Sequence, residues 1–237
     1  MFLNHFSLKF RHFLSRIKIE RKKEIFGKCF HIFKKADKQG GILMRRSSGN
    51  TKSRIVTAAW KLFYQYGYDN TTIDDIVEAS QTSKGSFYHY FESKDALLGS
   101  LSYLFDEKYA ELEKQMDPEA DPLTKLLPMN QELFLMIENT VSVSLLSQLF
   151  ASQLTTKGEK HLLDPDRTYF RLLRQIAVEG KEKGIFREDL TVTDITRAYA
   201  LYERAIMYDW CILNGNYSIC QYSKTMLPLF LKGLLRE

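Results

Sequence analysis

The chain has 237 residues, of which 44% are hydrophobic and 13% aromatic, and its formal net charge is +5. These apolar side chains suffice for a sizeable core, whereas no apolar run approaches the ~18 residues of a membrane-spanning helix. Three cysteines are too few for a disulfide framework and indicate a reducing cytoplasm, and five prolines among long stretches of 3.6-residue periodicity favour an all-α fold.

Residues 1–43 form a basic extension that is rich in Phe and Lys. The first 44 residues hold 11 of the 34 basic and 3 of the 29 acidic side chains, so the rest of the chain is mildly acidic. Because AT-rich noncoding DNA encodes such a composition, we expect Met44 to be the native start and residues 1–43 to be a mis-assigned extension. The alternative is a basic amphipathic helix within residues 1–33 that lies on an anionic membrane.

A first helix of an N-terminal domain is predicted from Thr51. Its apolar side chains follow the i, i+3, i+4, i+7, i+8 spacing of an amphipathic helix. They are Ile55, Ala58, Ala59, Leu62 and Phe63. Gly67 is suited to end this helix, because glycine readily adopts the left-handed conformation that follows many helices.

The stretch from Thr71 to Phe91 predicts two short helices with a tight turn between them. Thr72 is a good N-cap for the first helix, with Asp75 at the third helical position. The turn lies at residues 80–82, and Thr82 or Ser83 is suited to cap the second helix. Phe87 and Phe91, four residues apart, are expected to face inward, which turns the polar side chains of this helix outward.

The polar residues of the second helix suit the major groove of DNA. Ser83, Gly85 and Ser86 are small enough for close approach to base edges, and Lys84 is suited to donate to a guanine. Tyr88, His89 and the later Lys94 are suited to contact phosphates. These residues alone leave open a helical hairpin whose polar face is only solvated.

The whole string TTIDDIVEASQTSKGSFYHYFESKDALL resembles the DNA-binding domain of the TetR/AcrR family of bacterial transcriptional regulators. The resemblance covers about residues 51–98 and implies a DNA-binding domain at 49–97 with its helix-turn-helix at 71–90. Gln81-Thr82 departs from the family's usual Gly-Val. A glutamine in a left-handed turn costs about 1 kcal/mol, so either the turn is reshaped or Gln81 itself contacts DNA. The predicted DNA-binding residues are Thr72, Gln81, Thr82, Ser83, Lys84, Gly85, Ser86, Tyr88, His89 and Lys94.

Residues 98–237 are expected to form a helical effector-binding and dimerisation domain. A helix is predicted from Ser93 to about Gln115, others lie within residues 123–155 and 166–183, and Thr193 is expected to cap the penultimate helix. That helix is apolar on nearly every side, which is typical of a helix that packs on its own domain and on a partner. Together with the final helix it predicts a homodimer interface of the four-helix type, an arrangement that the family uses.

The resemblance also implies a cavity for an unknown small-molecule effector among the helices of the body. The predicted lining residues are Phe134, Met136, Phe170, Tyr199, Tyr202, Glu203 and Trp210. Each of them is equally compatible with a plain core position. Glu203 differs from the other six because its side chain is charged. A carboxylate on an apolar helix suits a cationic ligand or an ion pair with a neighbour.

No catalytic or metal-binding pattern accompanies these features. Beyond residue 44 the chain has only His89 and His161, and it lacks the glycine patterns of dinucleotide and phosphate sites. We therefore predict no enzyme activity, metal or cofactor. The predicted function is that of a cytoplasmic bacterial regulator, a repressor that a small molecule releases from a palindromic operator in double-stranded DNA. The alternative is a DNA-bound adaptor or structural protein of the same fold without an effector.

Overall fold

A computed structural model describes residues 48–155 and 160–236. Within these residues, compact unit 1 comprises residues 48–65 together with Thr71–Tyr90, and unit 2 comprises Tyr66–Asn70 together with the described residues from Phe91 onward. The described residues form nine α-helices and two short 3-10 helices without an extended sheet, so the all-α prediction is confirmed. The expectations about residues 1–43 lie outside the described residues.

Unit 1 is a three-helix arrangement, as predicted. Helix α1 spans Ser48–Tyr66, α2 spans Ile73–Ser80 and α3 spans Lys84–Tyr90. Each helix contributes apolar side chains that are almost fully inaccessible to solvent, and burial of such side chains is the main stabilising contribution in a small domain. They are Ile55, Ala59 and Phe63 from α1, Ile76 from α2 and Phe87 from α3.

Unit 2 contains the remaining helices. They are α4 (Leu101–Gln115), α5 (Pro122–Thr140), α6 (Val143–Thr155), α7 (Thr168–Glu182), α8 (Val192–Ile212) and α9 (Ile219–Lys232), with 3-10 helices at Asp95–Ser100 and His161–Leu163. Helix α7 packs against α4, α5 and α8, while α9 packs against α5 and α8. The body is therefore a helical bundle in which α5, α7 and α8 supply much of the core.

The predicted helix from Ser93 to Gln115 is divided in the structure. Its first part, Asp95–Ser100, is a 3-10 helix, and the α-helix begins only at Leu101. Serine hydroxyls compete with the regular helical pattern here, because Ser100 and Ser102 donate to the carbonyls of Leu97 and Gly99 at 2.5 and 2.6 Å. The prediction of one continuous α-helix was wrong at this point.

The predicted cap of the penultimate helix was also wrong by two residues. Thr191, not Thr193, is the N-cap of α8, since its hydroxyl accepts from the backbone N–H of Asp194 at 3.1 Å. The Asp194 carboxylate accepts in return from the Thr191 backbone at 2.9 Å, which completes a capping box. Two threonines lie two positions apart, so the sequence leaves the N-cap ambiguous. The acidic residue three positions after Thr191 decides between them.

The last residues of the chain leave helix α9 and return to the loop after α7. Leu234 and Leu235 lie beyond the end of this helix at Lys232. Leu235 pairs with Phe186 in an isolated antiparallel bridge, and the Arg187 N–H donates to the Leu234 carbonyl at 3.0 Å. This pairing closes the α7–α8 loop over the buried ring of Phe186.

No single helix within residues 48–155 and 160–236 is long and apolar enough to cross a membrane. Helices α5 and α6 together have the necessary length and hydropathy, but they are bent by 114° relative to each other.

Candidate DNA-reading helix and effector cavity

The turn between α2 and α3 has the geometry of a helix C-terminus followed by a left-handed residue. Gln81 has φ 53° and ψ 45°, so the turn keeps the left-handed conformation and is not reshaped by the glutamine. Its N–H donates to the Glu78 carbonyl, and the Thr82 N–H donates to the Val77 carbonyl, both at 3.0 Å. These two bonds are those of a Schellman motif, which is usually built with glycine at the left-handed position.

Arg54 supports this turn from helix α1. Its guanidinium donates to the carbonyls of Ser80 at 2.5 Å and Gln81 at 2.7 Å. Carbonyls at the end of a helix have no partner within the helix, so Arg54 satisfies them and fixes the direction in which the chain enters α3. Nothing in the sequence spacing indicated this positioning contact of Arg54.

Helix α3 presents most of its polar residues to solvent. Ser83 caps it, because its hydroxyl accepts from the Ser86 N–H at 3.0 Å. Phe87 is fully buried and anchors the opposite face, and Phe91 beyond the helix is also buried, as predicted. The predicted groove-reading residues Ser83, Lys84, Gly85, Tyr88 and His89 are exposed, as is Gln81, while Thr82 and Ser86 are partly exposed.

Lys84 forms an ion pair with Asp74 of helix α2. The ammonium lies 2.7 Å from the carboxylate, and both side chains are more than 60% exposed. The hydrogen bond to Asp74 raises the pKa of Lys84 above its usual value. Such an exposed pair is weak in water, so the lysine can exchange this partner for a DNA group at little cost.

Two further predicted DNA contacts have structural roles. The exposed Thr72 caps α2 through a capping box with Asp75, as predicted. The Lys94 ammonium donates to the Tyr68 carbonyl at 2.8 Å and lies 4.1 Å from the centroid of the Tyr68 ring. Lys94 thus holds the segment after α1 against the start of the 3-10 helix, and its role toward phosphate stays a prediction.

A buried polar cluster lies in the body around Glu203 of α8. Its carboxylate accepts from the Tyr169 hydroxyl at 2.7 Å and from the Asn130 side-chain amide at 3.0 Å. Ser223 donates to the Asn130 carbonyl oxygen at 2.5 Å. Burial raises the pKa of Glu203 to about 7, because removal from water disfavours the charged form more than these hydrogen bonds favour it. Burial thus shifts the carboxyl toward its neutral form.

A cavity of about 40 Å³ adjoins this cluster. Its walls are mostly apolar, with Phe105, Leu133, Leu146, Leu149, Phe150 and Met207 among the lining residues. Glu203, Tyr109 and Tyr169 form a polar region of the wall, together with Arg167 and Arg204. Arg167 is neutralised by Asp106, with two N–O distances of 3.0 and 3.2 Å.

Of the seven predicted pocket residues, only Glu203 lines this cavity. Tyr199 is buried and donates to the Leu126 carbonyl, Trp210 donates to the Tyr217 carbonyl, and Tyr202 bonds to Ser223. The other three are Phe134, which is fully buried, and Met136 and Phe170, which are partly exposed. Tyr109, Tyr169 and Arg167, which do line the cavity, were missed, because helices far apart in sequence bring them together.

Comparisons with known proteins agree with this architecture. Residues 55–101 match the model of the bacterial regulatory proteins of the tetR family, and residues 105–233 match that of the C-terminal region of YsiA-like proteins. The chain belongs to the TetR family of bacterial regulatory proteins. The family comprises transcriptional regulators, and this chain carries the family's DNA-binding helix-turn-helix, as predicted.

Individual relatives of this TetR-family chain are distant but extend over most of its length. The HTH-type transcriptional repressor KstR2 of Mycobacterium tuberculosis is 26% identical over 199 residues, which cover 82% of this chain and 99% of that protein. FadR of Thermus thermophilus, solved in complex with lauroyl-CoA, has a TM-score of 0.65 and a sequence identity of 22% to this chain. The match covers 78% of this chain and 96% of the FadR chain. FadR of Bacillus subtilis, solved with stearoyl-CoA, has a TM-score of 0.58 at 19% identity, with coverages of 77% and 99%. The two FadR structures share the fold.

Proposed function

We propose that this TetR-family repressor acts as a homodimer on a palindromic operator and releases it when an acyl thioester enters the body. It works by binding, without catalysis, in the bacterial cytoplasm where the chromosome lies. The observation that carries the DNA-binding half is helix α3, whose polar residues are exposed while Phe87 anchors its other face. A polar helix held rigidly in this way is what the major groove accepts.

An exposed apolar stripe on α8 supports the homodimer. Leu201, Tyr208 and Ile212 are each more than half exposed, and their spacing of seven and four residues places them on one helical face. Helix α9 adds Tyr222 and Leu229, seven residues apart and also exposed. Apolar residues repeated along exposed helix faces mark an interface. Two copies joined there would present two α3 helices to half-sites ~34 Å apart.

The cavity supports an effector with a long apolar part. Its walls are largely apolar, and two solved FadR proteins of the same fold contain lauroyl-CoA and stearoyl-CoA. Arg204 at the cavity is suited to an anionic or polar head group. An acyl thioester combines these features, since it joins an apolar chain to a charged carrier.

The size of the cavity supports a mechanism in which ligand entry changes the body. A volume of about 40 Å³ is far below the ~300–1,000 Å³ of pockets that hold ligands of this kind. The helices around it must therefore separate for an acyl chain to enter. If the expanded body disfavours the operator-bound dimer, ligand and operator weaken each other's affinity by the same factor.

The proposal is tested by footprinting the full chain on its own upstream DNA, at two salt concentrations and with excess competitor DNA. A protected short palindrome that survives competitor is expected, with the protection lost on addition of lauroyl-CoA or stearoyl-CoA. Free coenzyme A and lauric acid serve as controls for the two halves of the ligand. Protection that vanishes with competitor would contradict sequence-specific binding, and an acyl thioester without effect would contradict the ligand class.

A further inference from the structure

We propose that Tyr109 and Glu203 form a hydroxyl-binding subsite in the effector cavity, so that the natural ligand carries a hydroxyl group on its apolar part. This inference rests on the proposed entry of an effector into that cavity. It does not depend on the thioester, because it concerns only the polar region of an otherwise apolar wall.

The Tyr109 hydroxyl supplies the donor. The side chain is 1% exposed and lines the cavity. Its hydroxyl is buried and makes no hydrogen bond of good geometry within residues 48–155 and 160–236, although the Glu203 carboxylate is near enough to interact with it. Burial and the nearby charge of Glu203 raise the pKa of Tyr109 well above its usual value, so the group keeps its proton. A buried donor without a good partner is destabilising, and a ligand oxygen would supply that partner.

Glu203 supplies the acceptor. The side chain is 2% exposed. One carboxylate oxygen accepts from the Asn130 amide and the other accepts from the Tyr169 hydroxyl. A carboxylate has about four lone-pair sites, so capacity for a further donor remains. Asn130 is itself fixed by Ser223, which holds the acceptor in place.

A neutral hydroxyl fits this pair better than a charged group. It accepts from Tyr109 and donates to Glu203, whereas an ether only accepts and a hydrocarbon does neither. A ligand carboxylate placed there would be repelled by Glu203. An ammonium would meet the guanidinium of Arg204, which also lines the cavity, and would have no lone pair for Tyr109.

The test compares two neutral probes of equal size, decan-1-ol and methyl nonyl ether, by titration calorimetry on the full chain. The alcohol is expected to bind about tenfold more tightly, as one buried hydrogen bond predicts. In Tyr109→Phe, which deletes only the hydroxyl, the affinity for the alcohol should fall about five- to tenfold. The preference for the alcohol over two charged probes, decanoate and decylammonium, should fall as well. Tyr66→Phe, at an exposed tyrosine at the end of α1, is the matched control and should change nothing.

Several outcomes would overturn the subsite. They are equal affinity for the alcohol and the ether, a preference for either charged probe, an unchanged alcohol affinity in Tyr109→Phe, and no binding of the alcohol at all. The melting temperature of Tyr109→Phe, expected to equal or exceed that of the natural sequence, separates a binding effect from a folding defect. If the alcohol binds as expected but acyl thioesters do not release the operator, the subsite stands and the proposed ligand class fails.

Discussion

The Tyr169 hydroxyl donates a 2.7 Å hydrogen bond to the Glu203 carboxylate inside the helical body. The bond joins α7 to α8 and lies beside the cavity. Glu203 would be costly to bury as an isolated charge, and its raised pKa shows that the protein partly avoids this cost by protonation. A polar group is thus kept in a core that a leucine would fill with less electrostatic penalty, which supports a role in ligand recognition.

Replacement of Glu203 by Gln should remove a pH dependence of stability. The folded-state pKa of about 7 lies above the ordinary value of 4.5, so the folded protein binds the proton more tightly. This contribution is therefore complete below about pH 4.5 and is lost as pH rises through 7, by about 3 kcal/mol in total. Urea unfolding at fixed protein concentration, from pH 4.5 to 8, should show the natural protein losing stability relative to the variant over that window. Glu182→Gln, at an exposed glutamate of α7, should show no such trend.

Replacement of Lys84 by Ala should weaken operator binding roughly 5- to 150-fold and relax specificity at one base position, if the lysine reads a base. The reason is that Lys84 is exposed on α3 and that its ion pair with Asp74 is also exposed. Competition binding against operators mutated one base pair at a time measures both effects. Lys61→Ala, at an exposed lysine of α1, is the control. Full affinity in Lys84→Ala would refute the groove assignment.

Gln81 offers a direct measure of turn strain. Its φ of 53° is disfavoured for residues with a side chain, so Gln81→Gly should be more stable than Gln81→Ala by about 1 kcal/mol. Thermal and urea unfolding give this difference. Operator affinity then tests the second possibility from the sequence: if Gln81 contacts DNA, both variants bind more weakly, and if it serves only the turn, the glycine variant binds normally.

The two threonines before α8 form a matched pair. Thr191→Ala removes the hydroxyl that accepts from Asp194, and loss of such an N-cap costs about 1 kcal/mol. Thr193→Ala changes an exposed residue inside the helix and should change the unfolding free energy by less than half as much. Equal losses in the two variants would contradict the capping box.

The exposed stripe on α8 should govern the oligomeric state. The double variant Tyr208→Glu and Ile212→Glu places two charges on it and should convert a dimer to a monomer in light scattering, because a buried unpaired charge is costly. Operator affinity should fall when the dimer is lost, because a single α3 helix then binds one half-site alone. Leu135→Glu, at an exposed leucine of α5, is the control. A variant that remains dimeric would place the interface elsewhere.

Local features of this protein were predictable from the sequence. The capping box of Thr72 and Asp75, the turn at residues 80–82 and the inward face of Phe87 each depend on residues within about four positions. Their physics is that of one helix turn, which a short string encodes completely. The resemblance to a known family extended this local reading to DNA binding.

The predictions from sequence were wrong where two local conformations of similar free energy are possible. Thr191 and Thr193 are both acceptable caps, and the serines around Gly99 favour a 3-10 helix over a regular one. Such choices differ by about 1 kcal/mol, which is small enough for neighbouring contacts to decide. The side chain of His161 lies against Gly99, where a methyl group would come within 2.3 Å of it.

By itself, the sequence determined an all-α chain with a helix-turn-helix and an apolar penultimate helix, because periodicity and capping are set by neighbouring residues. Only the tertiary structure decided which polar groups meet in the body. Glu203 meets Asn130 across 73 positions and Tyr169 across 34, and Arg54 reaches the α2 terminus across 26. These contacts exist because packing of apolar faces brings distant helices together, and no local pattern specifies which polar side chains the packing then encloses.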